Sequence, residues 1–366
     1  MTAIEVLEVQ RAALDQTRLA SRDGAVKPGD VLVVIERYAM TANNVTYGVV
    51  GEKIGYWQFF PAEESWGIIP VWGVGRVIES KCDDVPVGER FYGYFPMGTH
   101  VVMTPSRIKP MGFADGAEHR AALPPVYNQY ARLSADPTYD ASMDDARVVL
   151  FPLYATSFCL HDFMVDQNWF GIGRGQEGQV IIPSASSKTA IGLAYALADD
   201  ADAPASVGLT SSANLAAVKA LGLYDSVLTY DDFGEIDTAL GSVIIDMSGN
   251  GKVLNSLHKA LGEKMRYCCN VGLTHFSENE MGPDFIRDRS AMFFAPGHMQ
   301  KRNSEWGPGV FQKQAQAFWH DAARRSERWL TLTQAHGTAQ MEPVYRAVLA
   351  GNVPANEGRV VVFDQG

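Results

Sequence analysis

The sequence predicts an α/β protein in two parts, a β-rich part followed by a doubly wound, parallel-sheet part. Three observations carry this. At 366 residues the chain exceeds what one hydrophobic core usually serves, so two domains are expected. Over roughly the first 145 residues, short β-branched runs are separated by Gly and Pro at intervals of about ten residues, as a small barrel requires. From about 147 to 297, strand-like runs alternate with helical ones, the signature of parallel strands joined by crossover helices.

The first run, Val31-Leu32-Val33-Val34-Ile35, follows the turn Lys27-Pro28-Gly29-Asp30 and is too short and too β-branched for a helix. Val71 to Ile78 reads as a second strand, and Gly73 and Gly75 inside it imply a bulge or a close backbone approach. Glu89 to Phe95 opens a third after Pro86-Val87-Gly88. In the second part, Val180-Ile181-Ile182 is a short buried strand, followed by a polar turn and a small-residue helix through Leu197. Ser206 to Leu209, Ser226 to Thr229, Ser242 to Asp246, Met265 to Val271 and Ala291 to Phe294 continue the series, with a helix over Ala213 to Leu221. Such sheets bind ligands at the carboxyl ends of their strands, near the switch in strand order. In the tail, Phe311, Ala315, Phe318, Ala322 and Trp329 mark one long amphipathic helix whose aromatics read as core. A short helix near Tyr345 to Leu349 and a last strand, Arg359 to Phe363, complete the chain.

A formal net charge of -11 excludes an extended nucleic-acid surface, which needs clustered Lys and Arg. Cys82, Cys159, Cys268 and Cys269 lack CxxC spacing, and buried reduced thiols are expected rather than a metal or disulfide role. The first ten residues carry Glu5 and Glu8 and lack a basic-then-apolar signal pattern, and no apolar run reaches the roughly 18 residues of a membrane span. No membrane association and a cytoplasmic location are therefore expected.

Two segments bear on a ligand. Ser184-Ala185-Ser186-Ser187-Lys188-Thr189-Ala190-Ile191-Gly192 joins the first strand of the second part to its helix, where a dinucleotide fold places its phosphate loop. Small residues there let backbone N–H groups approach a pyrophosphate. The loop is not GxGxxG, and Lys188 stands where glycine is usual, so Ser184, Ser186, Ser187, Lys188 and Thr189 read either as a phosphate grip or as a serine-capped turn. After the second strand, Thr210-Ser211-Ser212-Ala213-Asn214 has no carboxylate until Asp225. An acidic residue at that point would bind the ribose of NAD; its absence favours NADP(H) over NAD(H). Ser211 and Ser212 could equally cap the next helix.

With these residues on view, the chain resembles the quinone and enoyl reductases of the medium-chain dehydrogenase/reductase superfamily. The strings that carry the likeness are Gly29 to Val33 with Ala39 to Asn44, Trp72 to Val77, Val87 to Gly93 and Ala155 to Phe158. They continue in order through Lys219 to Gly222, Asp246 to Gly249 and Gly358 to Val361. The resemblance implies a GroES-like catalytic domain over 1–146 and 298–366, a Rossmann cofactor domain over 147–297, a cleft between them and a homodimer. The Cys near Thr41, the Gly-His-Glu string and the four-cysteine lobe of the zinc alcohol dehydrogenases are missing, so no metal is expected on ligand count.

The resemblance also ranks candidates for chemistry. Asn43 matches an asparagine frequent in zinc-free members, Tyr47 lies one helical turn later, and both are expected to be catalytic. Tyr56 and Trp57 would wall the substrate; Tyr94 and His100 are weaker candidates. Tyr154 falls near the nicotinamide end of the family layout. Tyr127 and Tyr130 lie in an insertion-like stretch, Ala117 to Tyr139, without a family counterpart. The expected activity is NADPH-dependent reduction of a carbonyl or activated C=C bond in a small, fairly apolar molecule. The alternatives are a non-catalytic NADP(H)-sensing or interaction protein and a redox-neutral lyase or isomerase.

Overall fold

The computed structural model describes residues 3–271 and 281–363. These divide into two compact units, Met1–Val149 with Leu330–Gly366, and Leu150–Trp329.

The first unit opens with the hairpin β1 (Ala3–Gln10) and β2 (Ala13–Asp23), then β3 (Val31–Met40). Helices α1 (Ala42–Val49) and α2 (Gly51–Ile54) follow, then β4 (Trp66–Gly67), β5 (Pro70–Ser80) and β6 (Arg90–Pro96). β7 (His100–Met103), β8 (Pro105–Lys109), β9 (Gly112–Asp115) and β10 (Gln129–Arg132) lead to the long helix α3 (Asp144–Asp166), within which the two units divide. β5 lies between β3 and β6 and pairs antiparallel with each, and its pairing with β3 shifts register between Ile35 and Arg37. The strand glycines act there as the sequence implies. A Cβ on Gly73 would meet the Arg37 carbonyl oxygen at 2.7 Å, and one on Gly75 would meet a Val33 methyl at 2.6 Å.

The second unit holds β11 (Gly175–Pro183), α4 (Lys188–Ala198), β12 (Pro204–Thr210), α5 (Leu215–Leu221) and β13 (Ser226–Thr229). It continues with β14 (Gly241–Asp246), α6 (Gly251–Leu261), β15 (Met265–Asn270), β16 (Ser290–Met292), α7 (Ala295–Trp306) and α8 (Val310–Ser326). All of its strand pairings are parallel, in the order β13-β12-β11-β14-β15-β16. The order reverses between β11 and β14, the switch point of a doubly wound dinucleotide fold. Ile181, Ile182, Ile244 and Ile245 are fully buried in the sheet, which explains why these strands read as continuous apolar runs. Cys268 and Cys269 are buried in β15, and Cys159 in α3.

The chain returns to the first unit with β17 (Thr331–His336), α9 (Met341–Leu349) and β18 (Glu357–Val362). β18 pairs with β3 and so closes this sheet with the chain's last strand.

Three features differ from the sequence reading. Residues 298–329 belong to the second unit, not with the chain end as expected. Their side chains explain this: Phe311 and Phe318 pack on Phe158 at ring distances of 5.2 and 5.7 Å, and Arg302 pairs with Asp162 at 2.6 Å. The expected long amphipathic helix is α8, which stops before Trp329, and it is preceded by a further helix, α7, that the sequence reading does not include. Finally, the stretch Ala117 to Tyr139 contributes a strand, β10, paired with both β6 and β9. The helical stretch Ala141–Asp166 is long and apolar enough to cross a membrane, but 56% of its most apolar window is buried, which core packing explains.

Candidate functional site

In the first unit the site grows from one helix start. Asn44 holds the entry to α1: its side-chain carbonyl accepts from the Thr41 N–H at 2.8 Å, and its amide donates to the Pro70 carbonyl at 3.0 Å. Of the two asparagines, Asn44 is therefore the turn-stabilising one, and Asn43 is released for other work. Asn43 and Tyr47 are four residues apart, on one helix face, and Asn43 Nδ2 donates to Tyr47 Oη at 2.7 Å. Trp72 Nε1, on β5, donates to the same oxygen at 3.2 Å. Two donors thus fill the lone pairs of the phenol, so its own hydrogen must be given outward. Burial foremost, with the neighbouring Tyr56, pushes the Tyr47 phenol well above its ordinary value, against the pull of the two N–H donors and of the Tyr94 hydroxyl. Tyr47 is a neutral acid throughout the physiological range.

The sheet supplies the rest. On β6, Tyr92 and Tyr94 are two residues apart and share a face; Tyr94 stands opposite Trp72 in the pairing with β5. Trp72 stacks on Tyr92 at 5.5 Å and leans on Tyr94 at 5.1 Å. Tyr47 meets Tyr56 at 4.6 Å and Tyr94 at 5.6 Å. The Tyr56 and Tyr127 hydroxyls are bonded at 3.0 Å. Tyr94 Oη is fully buried; no hydrogen bond of good geometry reaches it, but it lies close enough to the Tyr47 hydroxyl to favour the charged form of that phenol.

The structure therefore brings together Asn43, Tyr47, Tyr56 and Tyr94 of the expected residues. Trp57 is a correction. Its indole is wedged where a Cβ on Gly51 would lie 2.2 Å away and one on Gly67 2.3 Å away, so it locks α2 to β4 instead of walling a substrate. His100 bonds the neighbouring Thr99 hydroxyl. Trp72 and Tyr92 are not singled out by the sequence, and Tyr127 is named only as part of the insertion-like stretch; the two-residue spacing of Tyr92 and Tyr94 on a strand is the available signal.

In the second unit, Ser184 follows β11 with φ of 62°, a left-handed backbone that side chains disfavour. It is held there because its N–H donates to Tyr230 Oη at 2.9 Å. Ser187 caps α4, accepting from the Ala190 N–H at 3.3 Å, and Lys188 is the first helical residue. Ser186 Oγ accepts from Asn214 Nδ2 at 3.2 Å, tying the loop to the end of β12. Among the described residues, the N–H groups of Ser186 and Thr189 at this helix start have no hydrogen-bond partner. Ser211 and Ser212 lie half-buried and exposed beyond β12 and make no capping bond, so the capping role left open for them is not taken. Asp225, the first carboxylate after β12, is spent on the Ser206 N–H and hydroxyl at 2.7 and 3.0 Å. Tyr154 is a second correction. It is sealed inside the unit with its hydroxyl on Ser326 at 2.6 Å, so it supports the core rather than touching a cofactor. Among the described residues no group of three or more His, Cys, Asp or Glu could hold a metal ion.

The chain is similar to the quinone oxidoreductase from Coxiella burnetii at 13% identity and a TM-score of 0.56, with 99% of each chain covered. It is similar to a mutant form of enoyl thioester reductase from Candida tropicalis at 13% identity and 0.59, covering 99% of this chain and 100% of that one. A third likeness is to TarJ from S. aureus in complex with NADPH, at 11% identity and 0.57, covering 100% of both chains. At these identities the likeness shows the fold alone, shared along the whole chain with these proteins. A search of curated proteins finds no match. The chain belongs to the family described as "Protein of unknown function (DUF2855)", whose model matches residues 38–354.

Proposed function

We propose that this protein is a zinc-independent oxidoreductase that uses NADPH to reduce a carbonyl or a carbonyl-activated C=C bond in a small, uncharged substrate. The observation that carries the reading is Tyr47, a buried phenol whose oxygen receives two N–H groups and whose proton is left to give. Reduction of such a bond leaves charge on oxygen, or on carbon next to a carbonyl, and that charge needs a donor and then a proton. Tyr47 offers both, and the Tyr94 hydroxyl beside it is a further buried phenol that could donate to the same oxygen. Asn43 and Trp72 orient Tyr47 rather than touch the substrate.

The fit of a dinucleotide rests on the loop after β11. The unspent N–H groups of Ser186 and Thr189 and the positive end of α4 suit a pyrophosphate, with the hydroxyls of Ser186 and Ser187 and the Lys188 ammonium around it. Ser211 and Ser212, with the nearest following carboxylate already engaged, suit the phosphate-bearing ribose of NADPH better than that of NADH. When bound, the nicotinamide supplies hydride. The reading includes a homodimer: β16 forms one edge of the parallel sheet, and Met292 and Phe294 beside it are exposed.

Titration with NADPH, followed by intrinsic fluorescence and thermal stability, tests the reading first, and NADPH oxidation with an enone, quinone and aldehyde panel tests it second. No response to NADPH or NADH at millimolar concentration would sink it. Binding without turnover would favour the second reading, a cofactor-sensing protein on the same fold, which the near-complete burial of Tyr47 supports.

A further inference from the structure

The stretch from Ala117 to Tyr139 does more than add a strand. Its turn at Pro125–Asn128 carries Tyr127 into the middle of the tyrosine group. The Tyr127 ring lies 4.8 Å from Tyr94, 5.5 Å from Tyr56, 5.6 Å from Phe59, 6.0 Å from Trp72 and 6.3 Å from Tyr47. With it in place the group is closed: Tyr47, Tyr56, Tyr94 and Tyr127 are exposed by 6, 5, 0 and 8%. Tyr56 and Tyr94 flank Tyr47 directly, at 4.6 and 5.6 Å, and this segment supplies the ring that packs on both of them.

The seat of Tyr127 is built, not incidental. Asn128 Nδ2 donates to the Arg120 carbonyl at 3.2 Å. The buried Arg120 guanidinium pairs with Asp115 at 3.1 Å and donates to the Phe59 carbonyl at 3.1 Å and to Tyr130 Oη at 2.9 Å. The Tyr127 hydroxyl is spent on Tyr56, away from Tyr47, so its part is to fill space and not to move the reacting proton. The buried Tyr94 hydroxyl beside it faces the Tyr47 hydroxyl, so the two phenols stand together at this point of the group.

We propose that Tyr127 is the specificity-determining side chain of this site. It restricts the substrate to an uncharged carbonyl compound with a short apolar chain beyond the oxygen that Tyr47 and Tyr94 address. The side chains of the group are aromatic and uncharged, which suits an apolar chain and penalises a carboxylate or phosphate. The proposal rests on the reductase reading of Tyr47.

The test compares wild type, Y127A, Y127L and Y127F on straight-chain 2-enones of increasing length with NADPH. Straight-chain 2-ketones of the same lengths serve as binding probes by tyrosine and tryptophan fluorescence. Y127A, or Y127L should Y127A not fold, is expected to shift the ratio of kcat/KM for long over short enones by tenfold or more. That is the scale of about one methylene in a complementary pocket. The affinity for the long ketones should rise by a similar factor, while Y127F keeps the wild-type chain-length preference. If wild type turns over enones and the ratio stays within twofold in the truncated variants, this inference is wrong and the reductase reading stands. If wild type turns over nothing, the reductase reading fails. Ketone affinities then decide the role of Tyr127, equal values in wild type and truncated variants overturning it.

Discussion

Arg120→Met removes the cation that ties the tyrosine-bearing turn to the sheet, and its cost can be worked from the contacts. Arg120 and Asp115 are each exposed by only 2%, so their ion pair is shielded from water and salt. Asp115 keeps two other donors, the N–H groups of Ala117 at 3.0 Å and Thr104 at 3.4 Å. The charge that stays behind is therefore hydrogen-bonded but uncompensated. The Phe59 carbonyl and the Tyr130 hydroxyl also lose a donor. Removing one member of a buried pair costs about 3–5 kcal/mol. For a unit of this size each kcal/mol moves the midpoint by about 2–4 °C, so a fall of roughly 6–20 °C is expected. The transition should be followed by near-ultraviolet circular dichroism, which reports the tyrosine group directly. Adding Asp115→Asn to the variant neutralises the stranded charge and keeps an acceptor for both N–H groups. Part of the loss should return, with a coupling of about 1–3 kcal/mol between the two sites. A midpoint within about 2 °C of wild type for Arg120→Met would refute the claim that this pair anchors the segment.

Two further outcomes follow from the sites. Tyr47→Phe leaves the ring and removes the proton donor, so kcat should fall by about 10²–10³-fold with KM little changed; steady-state kinetics on an accepted enone would count against Tyr47 as acid if kcat stayed within threefold. Ser184→Gly relieves a left-handed backbone that costs a side-chain residue about 1–2 kcal/mol, less the extra entropy of glycine when unfolded. A net gain of about 0.5–1 kcal/mol is expected in urea unfolding, whereas Ser184→Val should destabilise, and equal stabilities for the two would show that no strain resides there.

How much of this could be read beforehand depended on whether the signal was local. The central strands of the second unit, around Val180 to Ile182 and Val243 to Asp246, were legible because they are buried on both faces and so read as continuous apolar runs. The hairpin β1–β2 was not, since its pattern is broken by the buried Glu8, which is held by Arg18 and Arg22. Helix α3 was masked by Pro152 inside it and by apolar residues around its whole circumference. Asn43 and Tyr47 were found by likeness, and the structure adds what likeness could not, that Trp72 completes the pair. Tyr127 has no local signature at all. Its partners lie at 47, 56, 59, 72 and 94, and only the folded sheet brings them to one place.

The acid side of the stability profile should carry the mark of one histidine. His258, on α6, is buried and stacked on Phe285 at 4.4 Å, and its Nδ1 accepts from the Ile286 N–H at 2.8 Å. The proton of the neutral ring is therefore on Nε2, and a second proton would displace the Ile286 bond. Burial first, and the Arg289 charge second, lower its pKa from 6.5 to about 4. The unfolded chain thus binds this proton more readily than the folded one, so the stability it represents is complete above about pH 6.5 and is lost as pH falls toward 4. At about 1.4 kcal/mol for each unit of difference, the loss is up to about 3 kcal/mol. Asp162 and Asp166 contribute in the same direction but at lower pH, because their pKa values lie below the ordinary 3.8 despite some burial, held down by His298 and Arg302 at Asp162 and by Lys301 at Asp166. The window between pH 4 and 6.5 therefore isolates His258 from them. His258→Asn keeps a neutral acceptor for the Ile286 N–H and cannot take the proton, so its unfolding free energy should slope less than wild type across that window. The remaining slope includes His100, lowered by burial, and is opposed by Asp246, raised by burial. Equal slopes in urea titrations of the two proteins would place the proton uptake elsewhere.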